Sequence, residues 1–301
     1  MKAIHVLLRN AIDYAGLFPP AALDMEAAVE NYAEYRRGGE SWALGRFVVP
    51  AGRLSEFSHA SNRYGAAPTP AERWQLAALA GSDLDADLAA IENFNQRSPL
   101  ARVDTLEFKS DSAERVDDIM RRRTSHLQTY VEIPVDRDPT QLLAMIRRVG
   151  GRAKVRTGGI TRDAFPTSST LIRFVAACVR SRVPFKATAG LHHPVRAEYR
   201  LTYAPDSERS PMFGFLNLFL AAAFLHVGMD EQQAEEVLQE SSPAAIRIEE
   251  EAISWKGRRL DLHELRQARQ EVMVSFGSCS FTEPLSELQS LQPLGPRVQQ
   301  A

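Results

Sequence analysis

The chain has 301 residues, of which 44% are hydrophobic and 25% are charged. A chain of this length buries roughly three-quarters of its unfolded surface, so the composition is that of a globular protein with one large domain or two small ones. The 36 basic and 38 acidic residues leave a formal net charge of -2. This balance gives no indication of a nucleic-acid partner or of a polybasic membrane anchor.

Cysteine content and apolar runs indicate the cellular location. Cys178 and Cys279 are too few for a disulfide scaffold, which favours a reducing, cytoplasmic location. The N-terminus does not predict a signal peptide, because Arg9 and Asp13 interrupt its apolar residues. The longest apolar run, 212–229, contains polar residues and predicts a buried helix rather than a membrane span.

The segment from about residue 44 to residue 190 alternates between strand-like and helix-like patterns. Strands are predicted at 44–50, 74–80, 103–109, 127–134, 152–157 and 183–189. Helices are predicted before the first of these strands, at 25–37, and then at 84–96, 113–123, 139–149 and 168–181. This alternation is typical of βα units.

Alternation within the later strands predicts the type of sheet. In 103–109, Leu106 and Phe108 share one face, while Glu107 and Lys109 share the other. The polar faces of the next three strands carry Tyr130, Glu132, Lys154, Arg156, Lys186 and Thr188. A doubly wound sheet would have apolar side chains on both faces. We therefore predict an α/β fold, a (β/α)8 TIM-type barrel, with the charged face in the lumen near the carboxyl ends of the strands.

The first and last barrel strands are harder to place, and we expect them to be irregular. Candidates are Ala3–Leu8 for the first strand and a segment within 244–277 for the last. The barrel is expected to span residues 1–285 as a single domain, and residues 286–301 are expected to form a C-terminal tail.

Other segments outside this repeat have weaker patterns. Residues near Glu250–Ala252 predict a two-stranded excursion, and 262–276 predicts a helix. The segment 13–21, DYAGLFPPA, fits either the bottom or the top of the barrel. In 277–284 Glu283 could join the rim of a site, but no base for Cys279 is evident, so nucleophilic catalysis there is not favoured.

The predicted lumen is rich in charge. Its charged residues are Glu107, Lys109, Glu132, Lys154, Arg156 and Lys186. Buried charges are unfavourable unless they pair or bind a charged ligand, so these residues form either a structural ion network or a binding site. A barrel interior usually contains branched aliphatic side chains, which favours the binding site.

The string RTGG at 156–159 directly follows a predicted strand. Thr157, Gly158 and Gly159 could present backbone N–H groups to a phosphate or carboxylate, and Arg156 could add a bidentate contact. The alternative is a tight turn that requires positive φ angles. The neighbouring cations favour an anionic ligand.

Lys186 is the candidate nucleophile. A lysine inside a strand and facing another cation, Lys154, should have a depressed pKa, and a neutral amine can attack a carbonyl carbon. Glu132 or Glu107 would then transfer protons. The alternative is that Lys186 is ion-paired with Glu132.

The stretch 153–191 resembles class I aldolases of the deoxyribose-phosphate aldolase type. In that family a Lys-Thr-Ser-Thr-Gly string bears the Schiff-base lysine; Lys186 and Gly190 match it, and Thr188 replaces the serine. The string TGG at 157–159 resembles the family's Lys-Ala-Ser-Gly-Gly string, but on an earlier strand. The resemblance implies lyase chemistry through a lysine imine. The whole chain also resembles a bacterial α/β-barrel family whose activity is not assigned.

His192 and His193 follow the last of these strands. Adjacent histidines in a strand point in opposite directions, so at most one is expected to reach the lumen. Together with Glu107 and Glu132 they are the alternative ligand set for a divalent metal. Asn217 could place its amide at the mouth of the site or act as a buried anchor.

These patterns together predict a lyase or aldolase that acts on a small anionic carbonyl compound without a cofactor. The expected catalytic residues are Lys186, Lys154, Glu132 and Glu107. The expected substrate contacts are Lys109, Arg156, Thr157, Gly158, Gly159, Thr188, His192, His193 and Asn217. The alternatives are metal-assisted proton abstraction or hydrolysis, and a non-catalytic barrel that binds an anionic metabolite. A homo-oligomer is compatible with the sequence, whereas nucleic-acid and membrane partners are not expected.

Overall fold

The computed structural model describes residues 2–291, and thirteen strands lie within them. They are β1 (Ile12–Tyr14), β2 (Leu44–Pro50), β3 (Trp74–Leu79), β4 (Ala101–Lys109), β5 (Gln128–Glu132), β6 (Arg152–Arg156), β7 (Phe185–Thr188), β8 (Ala197–Arg200), β9 (Arg209–Met212), β10 (Ile246–Ile248), β11 (Ala252–Trp255), β12 (Arg258–Asp261) and β13 (Met273–Ser278). The six strands predicted between 44 and 189 correspond to β2 to β7 and are confirmed.

Helices connect most of these strands. They are α1 (Lys2–Leu8), α2 (Met25–Arg37), α3 (Leu54–Ser61), α4 (Leu84–Arg97), α5 (Ala113–Arg122), α6 (Thr140–Arg148), α7 (Ser168–Ser181), α8 (Phe215–His226), α9 (Glu231–Gln239), α10 (Leu262–Glu271) and α11 (Thr282–Leu291). Side chains that accept a backbone N–H bond cap the N-termini of six of them: Asp24, Asp83, Ser112, Thr167, Asp230 and Asp261. These caps fix where the helices begin.

Eight strands form one closed parallel barrel in the order β1, β13, β7, β6, β5, β4, β3, β2. The predicted (β/α)8 architecture is therefore confirmed. The register places Glu132 beside Lys154, and Lys154 beside Lys186. Polar side chains of neighbouring strands thus lie at one level of the lumen.

The first barrel strand was wrongly expected at Ala3–Leu8, which belongs to α1. Its buried residues, Ala3, Ile4, Leu7 and Leu8, follow the spacing of one helix face rather than strand alternation. The actual first strand, β1, has only three residues, and all of them are buried. Such a segment is too short to produce a recognisable alternating pattern.

The last barrel strand, β13, begins within the expected range 244–277 and ends one residue beyond it. The helix expected at 262–276 ends at Glu271, because its last four residues form part of β13. The expected two-stranded excursion has three strands, β10 to β12, paired antiparallel. Lys256 and Gly257, both with positive φ, form the tight turn between β11 and β12.

The apolar core lies between the barrel and its helices. Helix α8 is buried along nearly its whole length, which confirms the helix expected from the apolar run 212–229. In residues 2–291, no helix combines the length and the apolar character needed to cross a membrane. Helix α11 extends to Leu291 and buries Leu288 against the core. The rest of the expected tail, 292–301, lies outside the described residues.

Candidate functional site

The carboxyl ends of the barrel strands open into a cavity of about 840 Å³. Side chains that point into the lumen form its floor, and the loops after the strands form its walls together with the β8–β9 hairpin. Cationic side chains along the walls are Lys109, Arg115, Arg156, Arg200 and Arg209. Barrel enzymes bind their substrates at this end, so this cavity is the candidate site.

Glu107 on β4 lies at the centre of the floor. Its Oε1 is 2.6 Å from the Lys186 Nζ, and its Oε2 is 2.8 Å from the Lys154 Nζ. The side chain of Glu107 is 2% exposed, and those of Lys154 and Lys186 are 7% and 2% exposed. One buried carboxylate is therefore shared by two buried ammonium groups.

Asp13 on β1 completes the surroundings of Lys186. The Lys186 Nζ donates to the Asp13 Oδ2 over 2.5 Å, and the Ser275 hydroxyl donates to the same oxygen over 3.0 Å. The backbone N–H of Arg46 donates to the other carboxylate oxygen. A Cβ atom on Gly45 would lie 2.4 Å from that oxygen, so the glycine provides the space that Asp13 occupies. The sequence analysis did not select Asp13 as a site residue.

Glu132 on β5 lies on the opposite side of Lys154. Its Oε2 is 3.0 Å from the Lys154 Nζ, and its Oε1 is 3.2 Å from the Lys109 Nζ. Lys109 is 73% exposed and extends towards solvent, although it was expected in the lumen. We call the five buried residues Asp13, Glu107, Glu132, Lys154 and Lys186 the floor cluster.

Pairing determines the ionisation of Glu107 and Lys186 in the floor cluster. Burial opposes the charge of Glu107, but the positive charges of Lys154 and Lys186 outweigh it and lower the Glu107 pKa to about 2. Burial likewise opposes the charge of Lys186, but Asp13 and Glu107 outweigh it and raise its pKa above the usual value. The expectation of a depressed Lys186 pKa is therefore wrong, because two carboxylates face this amine. The alternative, an ion pair between Lys186 and Glu132, is also not observed, because Lys186 pairs with Asp13 and Glu107 instead.

The RTGG string contributes less to anion binding than expected. The Thr157 N–H donates to the Thr188 carbonyl, and the Thr157 hydroxyl donates to the Ala189 carbonyl over 2.6 Å. A Cβ atom on Gly158 would lie 2.4 Å from the Phe165 ring, so a glycine is needed here to make room for that ring. The alternative of a turn with positive φ does not apply, because the φ angle of Gly158 is not positive. Arg156, Gly159 and Thr188 line the cavity as expected, whereas Thr157 and Gly158 do not.

Asn217 is an anchor within the scaffold and not part of the cavity wall. Its Oδ1 accepts the Arg196 N–H, and its Nδ2 donates to the carbonyls of Val237 and Glu240. These three bonds link the start of α8 to the C-terminal end of α9 and to the loop between β7 and β8. The expected substrate contact of Asn217 is therefore wrong, because its amide is fully used by the backbone.

His192 and His193 both line the cavity, contrary to the expectation that only one would. They lie in the loop after β7 rather than in a strand, so strand alternation does not apply. The His193 ring stacks on Tyr199 at 3.4 Å between centroids, and its Nδ1 is 2.8 Å from Glu287. Burial lowers the His193 pKa in spite of that carboxylate.

A second polar group surrounds His192. Its Nδ1 is 3.2 Å from the Ser278 hydroxyl, 3.5 Å from Glu283 and 3.8 Å from the Cys279 Sγ. The Tyr203 hydroxyl is 3.5 Å from that sulfur and 3.3 Å from Glu283. We call His192, Tyr203, Ser278, Cys279 and Glu283 the rim cluster. Glu283 thus lies on the rim, as expected.

The expected metal ligands do not form one group. Glu107 and Glu132 pair with lysines on the floor, while His192 and His193 lie with glutamates on the rim. In residues 2–291, the one set of three or more suitably spaced ligand groups is His193, Glu283 and Glu287. The His193 Nδ1 bonds to both Glu287 oxygens, and Glu283 contacts His192, so pairing accounts for this set.

The N-terminal segment 13–21 lies at the top of the barrel, where Ala15, Phe18, Pro19 and Pro20 line the cavity.

The sequence contains one signal for Asp13, its position as a charged residue inside the apolar run before the Pro-Pro pair. That signal is weak, because β1 is very short.

Comparison of the chain with models of known protein families, with curated proteins and with solved structures gives no match. The stretch 153–191 covers most of β6 and all of α7 and β7, and it includes Lys154 and Lys186. The geometry of the two clusters is therefore the basis for assigning a function.

Proposed function

We propose that the protein is a lyase of the class I aldolase type, which forms an imine between a floor lysine and a small anionic carbonyl compound. One observation carries the proposal: two buried lysines share one carboxylate at the floor of a large cavity. Active sites commonly hold amines and carboxylates in such close contact, because imine chemistry needs a nucleophile and a proton carrier.

We assign the imine to Lys154 rather than to Lys186. Lys186 is enclosed by Asp13, Glu107 and the Tyr130 ring, whose centroid is 5.4 Å from its Nζ. Its raised pKa means that deprotonation is costly. Two carboxylates contact the Nζ of each lysine, but the Lys154 side chain is more exposed than that of Lys186, at 7% against 2%. Lys186 would then hold Asp13 and Glu107 in place as a permanent cation.

The proposed step conserves the charge of the floor cluster. Lys154 transfers a proton to Glu132, and the neutral amine attacks the carbonyl carbon. The carbinolamine then takes that proton back from Glu132 and loses water, leaving an iminium on Lys154. This cation replaces the ammonium beside Glu107, so no carboxylate is left unpaired. The iminium then accepts the electron pair of the bond between the α- and β-carbons, so that this bond breaks and an enamine forms on Lys154. The β-hydroxyl gives its proton to Glu132 as the carbonyl product leaves.

The cavity walls support an anionic substrate. Arg156 is the last residue of β6, and Arg200 and Arg209 belong to the β8–β9 hairpin. Guanidinium groups bind phosphate and carboxylate through paired hydrogen bonds. An anion on the substrate would thus be held on the same side of the barrel as the two lysines.

Borohydride trapping tests this proposal. The protein is incubated with pooled small aldehydes, keto acids and sugar phosphates under borohydride, and any adduct is measured by intact mass and mapped to a peptide. We expect an adduct on Lys154, which Lys154→Arg abolishes because arginine does not form the imine. Lys109→Arg is the matched control, since Lys109 contacts the same Glu132 from the solvent side, and we expect it to keep the adduct.

The outcomes separate the parts of the proposal. An adduct on Lys186 would contradict the choice of lysine but support imine chemistry. No adduct on either lysine would contradict the lyase proposal and favour the metal-assisted or the non-catalytic alternative. Thermal stabilisation by a keto acid without turnover would then indicate the binding barrel.

A further inference from the structure

The rim cluster contains a nucleophile that the imine chemistry does not use. Cys279 follows β13 and lines the cavity with a residue exposure of 5%. Its sulfur faces two potential proton donors, the His192 ring nitrogen at 3.8 Å and the Tyr203 hydroxyl at 3.5 Å. A thiol between two such donors inside a cavity differs from an ordinary buried cysteine, which packs as a small apolar group.

Cys178, the second cysteine, provides that comparison within the same chain. It lies in α7, is fully buried, and belongs to the apolar core. Burial raises the pKa of its thiol well above the usual value, with no compensating partner. Cys178 is thus surrounded by apolar side chains, whereas Cys279 lies among polar groups that can stabilise a thiolate.

We propose that Cys279 is a nucleophilic thiolate, held by His192, that forms covalent thioethers with α,β-unsaturated carbonyl compounds entering the cavity. The sulfur forms a bond to the β-carbon, and the carbon–carbon double bond shifts its electron pair towards the α-carbon. The α-carbon then takes the proton of the His192 imidazolium, so no further reactant is required. This inference stands on the rim geometry and does not depend on the imine proposal.

The charges around the rim cluster favour an ion pair between the Cys279 thiolate and the His192 imidazolium. Burial opposes ionisation of Cys279, but the hydrogen bond and positive charge of His192 outweigh it and lower the thiol pKa. Burial likewise opposes the His192 charge, but Cys279 and Glu283 raise the His192 pKa to about 9. The other titratable groups that act on this sulfur are Tyr203 and, from β1, Tyr14. Both are neutral at pH 7, because burial raises each pKa above the usual value.

The pH dependence of alkylation in the unmodified chain is the first test. N-ethylmaleimide is the probe, because it is a small α,β-unsaturated carbonyl compound, and labelling of each cysteine is followed by peptide mass. An ordinary thiol of pKa about 8.5 reacts roughly 80-fold faster at pH 8 than at pH 6, since its thiolate fraction rises by that factor. For Cys279 we expect a distinctly smaller rise, because a lowered thiol pKa increases the thiolate fraction at pH 6 more than at pH 8.

Cys178 serves as the internal reference. We expect Cys279 to react at least about 100-fold faster than Cys178 in the native protein, and both to react equally in urea. Equal native rates, or an ordinary-thiol pH profile for Cys279, would overturn the proposal.

Substitution of His192 is the second test. We expect His192→Gln to slow Cys279 labelling at pH 6 by at least about 10-fold, because the thiolate loses its cation. The matched control is His193→Gln, whose ring contacts Glu287 and Tyr199 rather than the sulfur, and we expect it to keep the rate within about 2-fold. Equal rates in the two variants, with both shown to be folded by circular dichroism, would contradict the role of His192.

Discussion

The floor cluster and the rim cluster differ in how their charges are held. Floor charges are borne by barrel strands, are almost fully buried and pair with each other over 2.5 to 3.0 Å. Rim groups lie at the end of β13, on loops and on α11, and Glu283 is 28% exposed. Loss of a partner on the floor leaves a charge that water cannot reach, whereas water can replace a rim partner. We therefore expect substitutions in the floor cluster to lower the stability of the fold as well as activity. Substitutions in the rim cluster should change reactivity but leave stability nearly unchanged.

The largest expected effect is that of Glu107→Gln. This change removes the carboxylate shared by Lys154 and Lys186, and breaking a buried pair costs about 3–5 kcal/mol. Urea unfolding followed by circular dichroism measures the loss. The comparison variant is Glu132→Gln, for which we expect a smaller loss, since Lys154 keeps Glu107 and Lys109 is exposed. Equal effects would show that Glu107 is not the centre of the floor.

A smaller effect is expected for Gly45→Ala. The new Cβ would lie 2.4 Å from the Asp13 Oδ1 and displace the carboxylate that holds Lys186. Crowding of this kind typically costs about 1–3 kcal/mol. Gly52→Ala is the matched control, because no atom lies within 4 Å of its added Cβ. The same unfolding free energy for both variants would contradict the role of Gly45 in placing Asp13.

The smallest effect is expected for the His193–Glu287 pair, which lies next to the rim cluster. Glu287→Gln weakens the contact with the His193 ring, but the Glu287 side chain is 38% exposed and water can replace it. We expect the free energy of unfolding to fall by less than about 1 kcal/mol. A loss as large as that of Glu107→Gln would remove the distinction between floor and rim.

The sequence predicted the floor better than the rim for a physical reason. Alternation inside β4 to β7 assigns each side chain to the lumen or to the helices. The sequence alone therefore places Glu107, Glu132, Lys154 and Lys186 together in the lumen. The protonation of Lys186 could not be derived in the same way, because it depends on Asp13, which lies 173 positions away in the chain. Asp13 belongs to a three-residue strand, too short for a periodic pattern.

The rim could not be assembled from the sequence, because its contacts join loops that are far apart in the chain. His192 and Cys279 are 87 positions apart. Tyr203 lies in the loop between β8 and β9, and the position of this hairpin brings its hydroxyl to Cys279. Loop conformation also overturned the expectation that His192 and His193 point in opposite directions. Periodicity predicts the faces of strands and helices, but the direction of a loop side chain depends on tertiary contacts.

Borohydride trapping on the unmodified protein tests the central claim, that the floor cluster forms an imine, most directly. The account predicts a reduced adduct of an anionic carbonyl compound on the peptide that contains Lys154, with the peptide that contains Lys186 unmodified. A protein that remains unmodified at both lysines across the whole pool would contradict it.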